Sequence, residues 1–254
     1  AGVESHAVGD RVFALVGGGA YAELAVADAA HTLGIPADMN FEQAACIAET
    51  YITAYLNLFR EAGLRDGESV LLHGGGGGVN TAAIQLVDAL NPSSQILVTA
   101  SEHKLKRVGA LGADLVIDYG HSDFAAEAKR FTDGAGADVI LDHIGAAYLA
   151  KNLEALATNG RLVIIGVMQG SEAKISLGRL MIKRQSIIGS VLRLRPPEEK
   201  AAIIADFGAT VMPLFERGRI APLIDSLMPL DRVVEAHARM EASEHFGKIV
   251  LVMD

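Results

Sequence analysis

The segment with the clearest chemical potential is a glycine run, LLHGGGGGVN at 71–80. Five consecutive glycines lower the order of the backbone, and neither a strand nor a helix requires them. We therefore expect another group to approach this backbone closely. One glycine can form a tight turn and another can let the chain contact a pyrophosphate, beside the N–H groups that begin a helix. The run therefore predicts a dinucleotide-binding loop rather than a merely flexible connection.

The run departs from the dinucleotide fingerprint G-x-G-x-x-G at its last position. Counted from Gly75, the second glycine is Gly77, but Asn80 stands where the third is expected. The third glycine normally allows the helix to pack closely on the strand. Asn80 should therefore either push the helix outward or form a local hydrogen bond as a helix cap.

The residues after the second strand indicate which dinucleotide binds. The segment is TASEHK at 99–104, and an NAD site usually carries an acidic residue at this position. The hydroxyl of Ser101 and the cation of Lys104 instead suit a 2′-phosphate, which predicts NADP(H). Two alternatives stay open: Ser101 caps the next helix while Lys104 is a solvated surface residue, or Glu102 binds the ribose of NAD.

Strands and helices in alternation must position these residues. Six strands are predicted, at 69–73, 95–100, 114–119, 138–144, 161–167 and 186–191, with helices between them and a long helix at 198–217. Such alternation means parallel βαβ units, so the predicted fold class is α/β with a doubly wound parallel (Rossmann) sheet. Upstream, strands at 11–16 and 21–26 and a helix over 41–60 are predicted, and HFGKIVLVM near the end predicts one more strand.

The composition excludes several classes of protein. The net charge is −9 and no run of Lys or Arg occurs, which argues against a nucleic-acid partner. No apolar run reaches the ~18 residues of a membrane span, and the first residues lack a signal-peptide pattern, so a cytoplasmic protein is predicted. Cys46 is the only cysteine, which excludes a disulfide framework and a Cys-rich zinc module.

Four segments together resemble one family: HGGGGGVNTAAIQL, DVILDHIGAAYLAKNLEALATNGRLVIIGVMQG, GSVLRLRPPEEKAA and AHARMEASEHFGKIVLVM. They are similar to the quinone oxidoreductases of the zinc-independent medium-chain dehydrogenase/reductase family, in the zeta-crystallin-like branch. The resemblance implies a Rossmann domain at 56–228 and a partial GroES-like, mostly β catalytic domain at 1–55 and 229–254. Because the family's catalytic lobe begins earlier than this chain does, its N-terminal part is expected to be missing here. The implied reaction is hydride transfer from NADPH to a quinone or similarly activated carbonyl or alkene, in a homodimer.

The resemblance also places residues around the cofactor. Gly77, Gly78 and Val79 would lie under the pyrophosphate, Ser101, Lys104 and Tyr119 would surround the 2′-phosphate, and Ile144 and Gly145 would flank the adenosine. Thr53, Gly166, Val167, Ser190, Leu192 and Arg193 would line the nicotinamide end, and Lys248 would lie close to the cofactor cleft. For Ile144, Val167 and Leu192, ordinary core packing is an equal alternative. No catalytic residue is assigned, and Tyr51 and Thr53 are candidates by position only.

No metal site is expected. The zinc alcohol dehydrogenases share this fold, but the cysteines of their structural zinc lobe have no counterpart near 9–28, and Glu49 stands where a catalytic cysteine ligand would align. A quinone is already electrophilic, so hydride transfer needs orientation more than a metal or an acid. Two other functions remain open: an enoyl reductase for thioesters, and a nucleotide-binding or structural relative without catalysis.

Overall fold

The computed structural model describes residues 2–253, which form two compact units. The first unit comprises Ala1–Thr53, Gly77–Val79 and Leu192–Asp254, and the second, here called the sheet unit, comprises Ala54–Gly76 and Asn80–Val191. The division at Thr53 lies close to the boundary predicted at 55, whereas the sheet unit ends well before 228. A compact unit is not defined by what it binds, so the assignment of nucleotide binding to 56–228 stays a prediction.

The first unit begins with a short antiparallel pair, β1 (Val12–Ala14) and β2 (Thr32–Gly34), in which Phe13 lies opposite Leu33. The strand predicted at 21–26 is wrong. Residues 21–24 are bends, and Leu24 and Val26 are 89% and 95% exposed. The alternation there predicted a strand, but among the described residues β1 pairs with β2 and not with 21–26.

The predicted helix over 41–60 is helical but broken. α1 (Phe41–Ala45) begins at a capping box in which Asn40 and Gln43 bond each other's backbone N–H groups, at 2.8 and 3.1 Å. A turn at 46–49 separates it from α2 (Thr50–Tyr55), which continues as a π-helix, Leu56–Glu61. Apolar periodicity does not register such changes of helical pitch.

The sheet unit confirms the predicted fold class. Its strands are β3 (Ser69–His73), β4 (Gln95–Ala100), β5 (Leu115–Asp118), β6 (Ala137–Asp142), β7 (Leu156–Ile164) and β8 (Ser186–Gly189). They are parallel and run in the order β5-β4-β3-β6-β7-β8. All residues of β3 are buried, as expected for a strand covered on both faces. Because the chain leaves β3 for β4 on one side and later returns to β6 on the other, the switch point lies between β3 and β6.

The helices of this part of the chain are α3 (Gly78–Leu90), α4 (Leu105–Gly109), α5 (Phe124–Phe131), α6 (Ala146–Ala155) and α7 (Leu177–Ile182). One core cluster joins Leu71 and Ile140 of the central strands to Phe124 of α5 and Leu153 of α6. Burying each such side chain contributes about 1.5–3 kcal/mol, so this cluster holds the helices and the sheet in fixed relation.

The rest of the first unit follows the sheet in sequence. It contains α8 (Pro197–Glu216), β9 (Ile224–Pro229), α9 (Val233–Glu241) and β10 (Lys248–Val252). β10 pairs with β9 in parallel, which confirms a strand in the final segment. Within residues 2–253, none of the helices combines the length and apolar character needed to cross a bilayer.

Candidate nucleotide-binding site

The candidate residues of the sheet unit share one edge of the sheet. Each follows the carboxyl end of a parallel strand: Ser101 and Lys104 after β4, Tyr119 after β5, Ile144 and Gly145 after β6, Gly166 and Val167 after β7, and Ser190 after β8. Ligands of doubly wound sheets bind at this edge, beside the switch point. The parallel topology therefore gathers residues that are far apart in sequence.

The glycine loop begins at this switch point, directly after β3, and is closely enclosed by the protein itself. A Cβ atom on Gly75 would lie 2.4 Å from Cγ1 of Val98, and one on Gly76 would lie 2.5 Å from Cδ of Lys104. Part of the glycine requirement thus comes from packing against β4 and the residues that follow it. The sequence attributed the whole run to a ligand, which was incomplete.

The first peptide groups of the loop are held from two directions. The N–H groups of Gly74 and Gly75 donate to the carbonyl oxygen of Thr99, at 3.0 and 2.9 Å. The side-chain amide of Asn80 donates to the carbonyl oxygens of His73 and Gly74, the second at 3.2 Å. Asn80 therefore forms a local hydrogen bond, as one alternative expected, but it does so as a donor from within α3 and not as a helix cap.

A network of buried polar side chains lies next to the start of the loop. Nε2 of His73 lies 2.7 Å from Oδ1 of Asn152, and Nδ1 lies 3.1 Å from Oγ1 of Thr99. An amide oxygen only accepts, so Nε2 carries the proton and Nδ1 accepts from the Thr99 hydroxyl. Burial lowers the pKa of His73 to about 4, which keeps the ring neutral at pH 7. Sequence reasoning missed this network, although a polar residue ending an apolar strand was a usable signal.

The loop after β6 is shaped by a buried carboxylate that the sequence also did not single out. Asp142 accepts from the N–H groups of Ile144 at 2.7 Å and Gly145 at 3.1 Å. The pKa of Asp142 is raised, because the effect of burial is larger than that of the two hydrogen bonds, which lower it. Gly145 has φ +85°, and a Cβ there would lie 2.6 Å from the carbonyl oxygen of Gly170 and 2.9 Å from Cα of Val167. The candidates Gly145 and Val167 are therefore in contact.

The residues predicted around a 2′-phosphate lie after β4 and β5. Lys104 is only 9% exposed, and its side chain runs along Gly76. The N–H of Tyr119 donates to the carbonyl oxygen of Ala100 at 3.3 Å, which places Tyr119 beside the end of β4. Ser101 precedes a 3-10 turn, Glu102–Lys104, but its side chain makes no capping hydrogen bond, so the alternative role as a cap is wrong.

Two carboxylates and an imidazole stand at the same ends of β4 and β5. Ligand atoms of Glu102, Asp118 and His121 lie within 4.8 Å of one another, and Nδ1 of His121 is 2.7 Å from Oδ2 of Asp118. The hydrogen bond to Asp118 raises the pKa of His121, and the same bond lowers the pKa of Asp118. Acidic groups at this position favour the ribose hydroxyl of NAD, so this cluster opposes the preference that Lys104 supports.

The first unit holds the remaining candidates. A Cβ on Gly78 would lie 2.6 Å from Cδ of Lys248, and Gly77 forms an isolated bridge with Gly247. Lys248 therefore lies directly over the glycine segment 77–79. Within the same unit Thr53 is half-buried, Leu192 is buried and Arg193 is exposed.

Tyr51 occupies the core of the first unit. Its hydroxyl donates to the carbonyl oxygen of Ala221 at 2.9 Å, and its ring meets the edge of Phe215 with centroids 4.9 Å apart. The side chain is 2% exposed. These contacts give the hydroxyl a structural role, and its candidacy as a catalytic group stays a prediction based on position alone.

The geometry fits the pyrophosphate of a dinucleotide. The backbone of Gly74–Gly76 carries no side chain, Lys104 lies along it, and α3 begins immediately afterwards at Gly78. A helix N-terminus stabilises the charge of a pyrophosphate, whereas Lys104 is the group predicted to contact the additional 2′-phosphate. The fold and this edge together are those of the doubly wound class of nucleotide-binding proteins.

Comparison with known proteins gives the family. The model of the family described as zinc-binding dehydrogenase matches residues 111–251. Human quinone oxidoreductase is 35% identical over 250 residues, which cover 96% of this chain and 73% of that protein. The chain belongs to this family, within the medium-chain dehydrogenase/reductases, and the resemblance to the quinone oxidoreductases of that family is confirmed.

Two further relatives show the range of the likeness. The human synaptic vesicle membrane protein VAT-1 homolog is 30% identical over 265 residues, covering 99% of this chain and 67% of that protein. A mycobacterial protein solved in complex with NADPH superposes with a TM-score of 0.87 at 27% identity, covering 97% of this chain and 75% of that one. The chain thus spans about two thirds to three quarters of the length of these relatives.

Proposed function

We propose that this chain belongs to an NADPH-dependent oxidoreductase that transfers a hydride to a quinone or a similar activated carbonyl or enone, without zinc. The observation that carries the proposal is the glycine loop at the switch point, with Lys104 lying along Gly76. The 35% sequence identity to human quinone oxidoreductase and the structural similarity to a protein solved with NADPH support it. NADPH, when bound, supplies the hydride.

The residues of the chain would do the rest by binding and orientation. Backbone N–H groups would hold the pyrophosphate and Lys104 the 2′-phosphate, and the loop fixed by Asp142 and the segment at Gly166–Val167 would line the same edge of the sheet. Within the first unit, Lys248 would add positive charge beside Gly78. Orientation of this kind is the main contribution a protein makes to hydride transfer. The proposal without zinc relies on Glu49, a carboxylate at the position of a cysteine ligand.

A homodimer is part of the proposal. β8 is the last strand of the sheet order, and Ile187 on it is 36% exposed. Met181 and Ile182 of α7, which precedes this strand, are each 73% exposed. An edge strand beside apolar side chains suits association with a second copy. The cytoplasmic location stays a prediction from the sequence.

The cofactor is tested by titrating NADPH and NADH separately while following nicotinamide fluorescence, and then adding a simple quinone while following nicotinamide absorbance. We expect tighter binding of NADPH and loss of absorbance only when quinone is present. Failure to bind either nucleotide would overturn the proposal. Binding without turnover would favour the alternative that this protein binds a nucleotide but does not catalyse a reaction.

The assignment of Lys104 is tested by Lys104→Glu, with Lys106→Glu as the matched control. Lys106 is exposed on α4, two residues further on, so its substitution makes the same change in net charge away from the glycine loop. Lys104→Glu should weaken NADPH by about tenfold or more and NADH by much less, because only NADPH carries the additional phosphate. Equal effects on both nucleotides, or an equal effect of the control, would contradict the assignment.

A further inference from the structure

The glycine loop cannot hold its own conformation. From Gly74 to Gly78 it has no side chain, and glycine loses more conformational freedom on ordering than any other residue. The loop must therefore be ordered by groups outside it. Thr99 holds its first two N–H groups, and Asn80 holds the two carbonyl groups of His73 and Gly74.

Asn80 is built into the interior as a hydrogen-bond donor. The residue is 2% exposed, and both of its described hydrogen bonds use the amide nitrogen. Its Oδ1 atom is buried without a hydrogen-bond partner among the residues described. A buried acceptor left without a partner is unfavourable, so the donor is what this position contributes. A carboxylate of the same shape could not provide it.

The two carbonyl oxygens that Asn80 holds carry partial negative charge. Oxygens facing a pyrophosphate would repel it, and the repulsion would be strong in a site from which water is excluded. With both oxygens bonded to the amide of Asn80 and the adjoining N–H groups bonded to Thr99, these peptides are fixed and cannot turn toward the ligand.

We propose that Asn80 is a positioning residue for the pyrophosphate: its carboxamide orders the glycine run and keeps the carbonyl oxygens of His73 and Gly74 away from the phosphates. The inference rests on the proposed binding of a nicotinamide dinucleotide. It also accounts for the departure from the fingerprint, since the extra glycines and the asparagine act together. Restoring glycine at this position should therefore impair the site.

The test compares Asn80→Ala with Asn91→Ala. Asn91 follows the other end of α3, is 9% exposed, and donates through Nδ2 to the carbonyl oxygen of Leu64 at 3.3 Å. Each substitution removes one buried carboxamide that bonds backbone carbonyl groups. Only Asn80→Ala removes the carboxamide beside the glycine loop. Both variants should lose stability, so a loss of affinity seen with Asn80→Ala alone reports on the loop.

The probes are 2′-phospho-ADP-ribose, which contains a pyrophosphate, and 2′-AMP, which does not. Asn80→Ala and Asn80→Gly should weaken 2′-phospho-ADP-ribose by about tenfold or more and 2′-AMP by less than about twofold. Asn91→Ala should change neither by more than about twofold. Wild-type affinity of either Asn80 variant for 2′-phospho-ADP-ribose, or equal losses for both probes, would overturn the proposal.

A pH profile adds a signature that a structural role would not produce. Asn80→Asp should bind 2′-phospho-ADP-ribose more weakly than Asn80→Ala at pH 8, because a carboxylate repels both the carbonyl oxygens and the phosphates. Part of the affinity should return toward pH 5.5, where a protonated carboxyl group can donate one hydrogen bond. A flat profile would count against the assignment.

One outcome separates the two proposals. If the wild-type protein binds neither probe, nor NADPH, the proposed function fails. Amide hydrogen exchange of residues 74–79 then decides the role of Asn80, because Asn80→Ala should accelerate exchange there while Asn91→Ala should not. Unchanged exchange rates would overturn the positioning role by themselves.

Discussion

At the amino edge of the sheet, Arg161 donates to both carboxylate oxygens of Glu68, at 3.0 and 2.6 Å, and to the carbonyl oxygen of Ala62 at 2.8 Å. Asp138 likewise accepts from both the N–H and the hydroxyl of Ser69. At the carboxyl edge, by contrast, Asn80 and Asp142 bond the backbone of the loops. Buried polar atoms without a hydrogen-bond partner among the described residues occur at both edges: Oδ1 of Asn80 and Nδ2 of Asn152 at the carboxyl edge, and Oε1 of Gln185, directly before β8, at the amino edge. The same six strands thus end in two different polar environments.

The difference between the two edges indicates that residues at the amino edge stabilise the fold, whereas residues at the carboxyl edge also serve binding. Groups at the amino edge bond each other and contribute to the free energy of unfolding. At the carboxyl edge, backbone loops are held in place by Thr99, Asn80 and Asp142, and the glycine loop carries no side chain at Gly74–Gly76. Substitutions at the amino edge should therefore change stability alone, whereas those at the carboxyl edge should also change nucleotide affinity.

The largest effects are expected from two glycines, one at each edge. Gly136, before β6, and Gly145, after it, have φ of +90° and +85°, and a Cβ would lie 2.3 and 2.6 Å from a backbone carbonyl oxygen. Gly136→Ala and Gly145→Ala should each lower the free energy of unfolding by about 4 kcal/mol, from strain plus overpacking. Urea denaturation measures this loss. In the folded fraction only Gly145→Ala should weaken NADPH, and equal effects on affinity would break the comparison.

The next effect concerns pH and the buried His73. Its folded pKa of about 4 lies below the unfolded value of 6.5, so the unfolded state binds more protons between these values. Stability should therefore be complete above pH 6.5 and fall by about 3 kcal/mol as the pH drops to 4. His73→Gln should flatten this part of the profile, measured by urea denaturation at each pH. An unchanged slope would contradict the buried neutral ring.

His121 provides a contrast of opposite sign. Its raised pKa means that its stabilising contribution is present below pH 6.5 and is lost as the pH rises. Because the side chain is largely exposed, the contribution is small. His121→Gln should therefore leave unchanged the fall in stability between pH 6.5 and 4 that is assigned to His73. Loss of this fall in His121→Gln would show that the assignment to His73 is wrong.

An effect smaller than those of the two glycines and of His73 is expected from the ion pair of Arg161 at the amino edge. Burial raises the pKa of Glu68, but the hydrogen bonds and charges of Arg161 and Arg65 together bring it below its ordinary value. Arg161→Ala removes the donor to the carbonyl oxygen of Ala62 and leaves the carboxylate with the N–H of Arg65, which should lower stability by about 2 kcal/mol. The affinity for NADPH should stay within about twofold, as measured by fluorescence titration. A tenfold loss of affinity would show that the two edges are not independent.

The sheet was predictable from sequence because its signals are local. Each apolar strand is bounded by a polar or glycine-containing loop, and β3 and β4 have the bounds that the sequence predicts. Parallel topology then follows from alternation with helices. The candidate loops of the sheet unit could be found because each follows a strand, a property of chain order.

The remaining features depend on contacts between distant residues. β2 is three residues long and exists because β1 lies beside it, so no pattern of its own reveals it. His73 and Asn152 are 79 positions apart, and their hydrogen bond arises only when β3 and α6 pack together. From the sequence, Asn80 is expected either to push the helix outward or to cap it, whereas its carbonyl partners, His73 and Gly74, are set by how α3 packs on β3.

The most direct test of the account is amide hydrogen exchange with and without saturating NADPH. We predict slower exchange at residues 74–79 and 100–104, at the carboxyl edge, and unchanged exchange at 66–69 and 158–161, at the amino edge. Protection confined to the amino edge, or no protection at either edge with NADPH in large excess, would contradict the claim that the glycine loop binds a nicotinamide dinucleotide.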